Sequence, residues 1–121
     1  MDPVFVLQAD MLKTLASPRR LEIIHRLADG PCEVSRLAEE LGMSQPNVSQ
    51  HLSVMRAVGV VEGIRDGREV VYRLTDPGIM RACGLMREVL QRRLTRLADL
   101  SNPDAATPAG EPAAALEVPS R

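Results

Sequence analysis

Five runs of helically spaced apolar residues, a three-residue turn Gly42-Met43-Ser44 between the third and fourth, and an Asp66-Gly67 hairpin signal ahead of the last predict a winged helix-turn-helix. The fold class is mainly α with a small β-hairpin wing, in the order α1-α2-α3-α4-β-β-α5. Composition agrees with it: 45% of the residues are hydrophobic, yet there is one Phe, one Tyr and no Trp, so the core must be built from Leu, Val, Ile, Met and Ala. That is a helix-favouring palette. Residues 1–100 are read as the one folded domain. Residues 101–121, SNPDAATPAGEPAAALEVPSR, are rich in Pro and Ala without any period and are read as a disordered tail.

The first helix is marked by Val4, Leu7, Met11 and Leu15, with Phe5 and Leu12 widening the stripe. Ser17-Pro18 ends it and opens the second, Ser17 as N-cap and Pro18 at the first helical position, where a missing N–H costs nothing. Leu21, Ile23, Ile24 and Leu27 are its inward residues, and Gly30-Pro31 stops it. The third helix runs from about Glu33 to Leu41 with Val34, Leu37, Ala38 and Leu41 inward, and Gly42 closes it. Ser44 caps a fourth helix carrying Pro46 in its first turn, and Gly59 ends that helix.

The period then changes to that of strands. Val60–Arg65 and Arg68–Leu74 are β-branched runs around Asp66-Gly67, a strong hairpin signal. Thr75-Asp76-Pro77 opens the last helix, whose stripe is Ile79, Cys83, Met86, Leu90, Leu94 and Leu97. The apolar residues of the first and last helices exceed what a three-helix unit with a wing needs for its core. A second copy in a two-fold dimer would use them.

Bulk charge gives weak guidance. Residues 1–100 hold 14 Lys and Arg against 13 Asp and Glu, and residues 101–121 hold one Arg against three acids. Any phosphate contact must therefore come from local patches. No stretch reaches the roughly 18 apolar residues of a membrane span. The start, MDPVFVLQADMLK, has Asp2 and Asp10 but no basic segment, unlike a signal peptide. Two cysteines, Cys32 and Cys83, make neither a disulfide framework nor a CxxC knuckle, and a reducing cytoplasm is expected.

The stretch SQPNVSQHLSVM, residues 44–55, is the chemically informative one. At about 100° per residue, Val48, Leu52 and Met55 fall within about 60° of one another and face the core. Pro46, Asn47, Ser49, Gln50 and Ser53 lie on the far side, and His51 lies between, about 60° from Val48. The stretch contains no Lys, Arg, Asp or Glu, whereas a merely solvated helix face is usually filled with them. Asn and Gln suit adenine edges, Ser pairs with either groove edge, and a face without charge avoids burying unpaired ions against bases. Ser44, Gln45, Asn47, Ser49, Gln50, His51 and Ser53 are therefore the candidate DNA-reading residues. Arg65, Arg68 and Arg73 flank the hairpin tip, where they can lie along phosphates or enter a minor groove, with Asp66 and Glu69 partly neutralising them.

The segments LKTLASPRRLEIIHRLADG, VSRLAEELGMSQPNVSQHLSVMRAVGVV and GREVVYRLTD, spanning about residues 12–76, resemble the ArsR/SmtB family of bacterial winged-helix repressors. The resemblance implies a homodimer joined through the first and last helices, a palindromic double-stranded operator, repression without ligand and release by an inducer. It places Ser44, Gln45, Asn47, Ser49, Gln50 and His51 on the recognition helix and Arg65 and Arg68 on the wing.

The family's sensing sites carry over poorly. A Cys-x-Cys pair is expected at the start of the third helix, and here that region reads Pro31-Cys32-Glu33-Val34-Ser35. Residues 77–100 contain no His for a zinc site of the last helix, and the second helix offers His25 instead of a thiol. Cys32 and Cys83 remain as candidate inducer or redox residues, for a soft metal, a metalloid such as arsenite or a thiol-reactive species. Cys83 on an apolar stripe also suits a small buried hydrophobe. Cys32 just ahead of a helix start is expected to have a lowered thiol pKa. No cofactor is otherwise implied. No catalytic Ser/His/Asp set, phosphate-cradling Gly loop or carboxylate pair is present, so the chain is not expected to be an enzyme. A protein-docking winged helix is the rival reading, and it would need an apolar or charged face where the polar fourth helix lies.

Overall fold

The computed structural model describes residues 1–101; residues 102–121, where the disordered tail is expected, lie outside the described residues. The elements are α1 (Pro3–Leu15), α2 (Pro18–Leu27), β1 (Cys32–Glu33), α3 (Val34–Leu41), α4 (Gln45–Ala57), β2 (Val61–Asp66), β3 (Glu69–Leu74) and α5 (Pro77–Ser101). Residues 1–80 form one compact unit, and a second begins at Arg81.

Three helices of the first unit start alike. Asp2 accepts from the N–H of Val4 at 2.9 Å, Ser17 from Arg20 at 3.3 Å and Ser44 from Asn47 at 3.3 Å, each with Pro in the first turn. Each side chain satisfies a donor that the first turn leaves without an intrahelical partner. The eight-residue α3 has no such cap and relies on its other end. There Gly42 turns left-handed at φ 64°, and Met43 N–H reaches back to Ala38 O at 2.9 Å. A residue with a Cβ pays a penalty in that conformation, so the tight step from α3 to α4 depends on glycine.

The core of this unit is aliphatic, as composition requires. Ile23, Ile24, Leu37, Val48, Leu52, Met55 and Val60 are fully buried, and Leu27, Ala38 and Val61 nearly so. Leu21 departs from the expected inward set: it is exposed, because the α2 face that packs runs through Ile23, Ile24 and Leu27. Val34 and Leu41 are only half-buried.

The sheet has three strands in the order β1-β3-β2, all antiparallel. Sequence pattern reveals only the hairpin. Its register pairs Val61 with Leu74 and Asp66 with Glu69, which leaves Gly67-Arg68 as the loop, one residue beyond the Asp-Gly pair that signals it. Gly67 takes φ 65°, as the first position of a primed two-residue turn requires. The unexpected strand is β1, in which Cys32 pairs with Tyr72 and Glu33 with Val71. Two residues are too few to show a period, so pairing with β3 is the only thing that marks them.

Helix α5 opens with Asp76 accepting from Gly78 N–H at 2.7 Å. Its 25 residues span about 37 Å at a rise of about 1.5 Å each. None is buried, and Met86, Leu90, Leu94 and Leu97 of the expected stripe are exposed along with Leu85, Val89 and Leu100. In α1, Val4, Phe5, Val6, Leu7 and Leu12 are likewise exposed, while Met11 and Leu15 are half-buried. Among the described residues no helix is long and apolar enough to cross a membrane.

Leu52 sits at 0% exposure on the core edge of α4, away from its polar face. Truncating it, Leu52→Ala, should cost about 3 kcal/mol of unfolding free energy, read from the urea midpoint at unchanged slope.

Candidate nucleic-acid interface

Helix α4 has one buried edge, Val48, Leu52 and Met55, and the exposed residues follow from it. Ser44, Gln45, Pro46, Asn47, Ser49, Gln50 and Ser53 are all exposed, so the structure brings these expected reading residues together on one free surface. The Ser44 hydroxyl accepts from Asn47 N–H, and its own proton stays available. The helix start also presents N–H groups and the positive end of the macrodipole. A polar uncharged arc with a dipole-positive tip can accept a phosphate and donate to or accept from base edges.

Arg65 lies on β2 and Arg68 in the loop, both exposed. Among the described residues neither guanidinium makes an ion pair or hydrogen bond, whereas that of Arg73 is tied to Glu62 across the hairpin at 2.7 Å. The wing thus keeps two arginines free and commits the third. The Glu69 carboxyl is pushed above its usual range by a hydrogen bond with Glu33, by that residue's charge, by partial burial and by Asp66.

His51 is half-buried, at the border between the core edge and the polar arc. Its Nδ1 accepts from Arg20 Nε at 3.1 Å, and Arg20 Nη1 donates to Thr14 O at 2.9 Å. Burial, then the positive charges of Arg20 and Arg19, hold the His51 pKa below its ordinary value. The neighbouring Arg19 donates to Glu22 at 3.0 Å and to Leu41 O, at the end of α3, at 3.3 Å. Sequence reasoning missed this pair. The available signal was Pro18-Arg19-Arg20 itself, two cations at a helix start, where the macrodipole disfavours them.

Cys32 overturns one expectation. It stands where expected, one residue ahead of the α3 N-cap Glu33, but it is paired in β1 and 3% exposed, and burial pushes its thiol pKa up rather than down. Arg26 and Arg36 pull the other way, but less. Both arginines are committed to Glu40, at 2.6 and 2.8 Å, and their hydrogen bonds lower its carboxyl pKa. Cys83 is half-buried in α5, and burial raises its thiol pKa as well. Both are free thiols. Among the described residues no three of His, Cys, Asp and Glu gather into a group that could hold a metal ion.

Comparison with known proteins bears on this surface. Residues 17–62 match the profile of the family described as bacterial regulatory protein, arsR family. The chain is 36% identical over 95 residues to the HTH-type transcriptional regulator Rv0081 of Mycobacterium tuberculosis, covering 78% of this chain and 83% of that one. The crystal structure of Rv0081 superposes with a TM-score of 0.72 at 34% identity, over 81% of this chain and 99% of that one. A homodimeric winged helix-turn-helix DNA-binding domain from Mycobacterium bovis gives a TM-score of 0.73 at 29% identity, over 79% of this chain and 92% of that one. The HTH-type transcriptional repressor SmtB of Mycobacterium tuberculosis is 46% identical over 67 residues, which is 55% of this chain and 50% of that one.

The depressed His51 pKa makes stability depend on pH. As pH falls through the ordinary value of 6.5, the unfolded chain takes up a proton at this residue that the native state still refuses. Stability should therefore drop between that pH and the lower native value, and be unaffected by this group above it. Urea unfolding at about pH 7.5 and about pH 5.5 should show a larger loss for the wild type than for His51→Gln.

Proposed function

Because the chain belongs to the arsR family of bacterial regulatory proteins, we propose that it acts as a homodimeric transcriptional repressor that binds a palindromic operator through α4 and the wing. It is a regulator and not an enzyme. The observation that carries this reading is the exposed polar arc of α4, uncharged over residues 44–55, together with two unpaired arginines of the wing. In this geometry the helix start and the residues Asn47, Ser49, Gln50 and Ser53 enter a major groove, and Arg65 and Arg68 contact phosphates or the adjoining minor groove. A docking module for proteins would bury apolar or charged side chains there instead.

The dimer rests on apolar surface. Val4, Phe5 and Leu7 on α1, and Leu90, Leu94 and Leu97 on α5, are each about half exposed or more. Single exposed apolar residues are ordinary, but a run of them along one helix marks a surface that another chain covers. A second copy is the partner that a two-fold operator calls for.

The inducer is a separate matter. A soft metal, metalloid or thiol-reactive species acting through Cys32 would have to reach a thiol that is 3% exposed and held protonated by burial. Those two observations favour a second reading, in which the cysteines are structural and the DNA-binding form does not depend on thiol chemistry.

Binding to duplex DNA from the region upstream of its own gene should weaken steeply as salt rises. Gln50→Ala or Asn47→Ala should narrow the gap between operator and scrambled duplex by about 1–3 kcal/mol. Arg68→Ala should weaken both duplexes alike and make the salt slope shallower. Equal, salt-insensitive binding of every duplex would refute the reading. Cys32→Ser and Cys83→Ser, tested singly, should leave operator release by arsenite, cadmium and persulfide unchanged if the cysteines are structural; loss of a response in either variant would restore the thiol sensor.

A further inference from the structure

Arg20 stands at the third position of α2, and its guanidinium is shared between two other helices. One N–H closes on the Thr14 carbonyl in the last turn of α1, and the other closes on His51 Nδ1 in the middle of α4. A cation at a helix start is locally unfavourable, but beside carbonyls at the end of α1 it meets the negative pole of that helix. The residue is placed for its distant partners.

The bond to His51 has a chemical consequence. An imidazole nitrogen that accepts from a guanidinium carries no proton, so the remaining proton of the neutral ring sits on Nε2. Arg20 and Arg19, both on α2, are the charged groups acting on the ring, and both disfavour a second proton. Among the described residues Nε2 has no hydrogen-bond partner, and no buried side-chain nitrogen or oxygen lacks one. Nε2 is therefore reached by solvent. The ring lies on the flank of the polar arc, about 60° from the core edge, where a groove-bound helix meets the sugar-phosphate wall rather than the base edges.

We propose that Arg20 is a positioning residue for the recognition helix, holding His51 as the Nε2–H tautomer so that this proton is donated to a backbone phosphate of the operator. The proposal rests on the DNA-binding reading and adds to it a contact that orients α4 without reading sequence. Since the same guanidinium holds the end of α1, the side chain also ties a helix with exposed apolar residues to the helix that lies on DNA.

The test uses the full chain, with duplex DNA from upstream of its own gene and a scrambled duplex. Glutamine keeps a donor near the Nε2 position, whereas asparagine keeps only an acceptor near Nδ1. His51→Gln should bind within about threefold of wild type, and His51→Asn roughly tenfold more weakly on both duplexes. The reverse order would show that His51 merely anchors Arg20 and would overturn the proposal. Nitrogen-15 NMR of the imidazole should show the Nε2–H tautomer in the wild type and a mixture in Arg20→Met. An unchanged tautomer in Arg20→Met would also overturn it. Arg20→Met should cost roughly tenfold in affinity in the wild type and little in His51→Gln; equal losses in both backgrounds count against the coupling. If every variant binds DNA like the wild type, this proposal fails alone. If the wild type binds no duplex, the DNA-binding reading fails with it.

Discussion

Helix α4 is pinned along a single edge, and the rest of the candidate site depends on that. Val48, Leu52 and Met55 have no exposed surface at all, and a helix turning about 100° per residue can give only one arc of its circumference to such an edge. Burying three sizeable apolar side chains contributes on the order of 5 kcal/mol, far more than any polar contact on the other side could reverse. Pro46, Gln50 and Ser53 are thereby forced outward, and His51 is held at the border. Gly42 sets where this arc points, because the left-handed turn after α3 brings α4 round in three residues without a Cβ clash.

The second organising feature runs against local preference. Arg19 and Arg20 stand at the start of α2, where a cation costs about 0.3–1 kcal/mol against the macrodipole. Arg19 donates to the last carbonyl of α3 and Arg20 to a carbonyl in the last turn of α1, with His51 as a further acceptor. Part-buried hydrogen bonds to a charged donor contribute about 1.5–3 kcal/mol each, so the distant contacts of Arg20 outweigh the local cost, while the exposed Arg19 contact is screened and contributes less. The carbonyls they satisfy are among those a helix end leaves open, which makes the pair a C-cap supplied from another helix.

Much of this was legible from residue order, and what was not shares a cause. N-caps at Ser17 and Ser44, prolines in first turns, Gly42 and the strand period before and after residue 67 are local signals that the structure bears out, with the hairpin loop one residue later than the Asp-Gly pair. The arc of α4 follows from period alone. Contacts between distant segments carry no such signal. The two residues of β1 are recognisable only through Cys32 and Glu33 pairing with β3, and the Arg20–His51 bond joins positions 31 apart. Cys32 shows how the missing contact inverts a chemical inference. A position ahead of a helix start lowers a thiol pKa only while the thiol stays hydrated, and in β1 the loss of hydration outweighs the charges of Arg26 and Arg36. Leu21 was misplaced for a milder reason: three inward positions already fill the buried face of α2.

Charge balance was the weakest guide in the sequence, and the structure explains why. Of the eight arginines in the first unit, Arg19, Arg26, Arg36 and Arg73 are paired with carboxylates and Arg20 is bonded to Thr14 and His51, while Arg56, Arg65 and Arg68 are unpaired among the described residues. Charges separated by more than about 8 Å are screened at physiological salt, so acids on other faces do little to cancel a wing laid on phosphate. A chain with formal net charge −1 can therefore still carry a local cationic contact. It gains little from long-range attraction to DNA in general, because sequence-independent affinity scales with the number of phosphates neutralised. On a DNA-binding reading, discrimination must then come from groups that hydrogen-bond to bases at little desolvation cost. Uncharged Asn47, Ser49 and Gln50 on a rigidly pinned helix are such groups, and their lack of charge is the counterpart of the near-neutral balance of the whole chain.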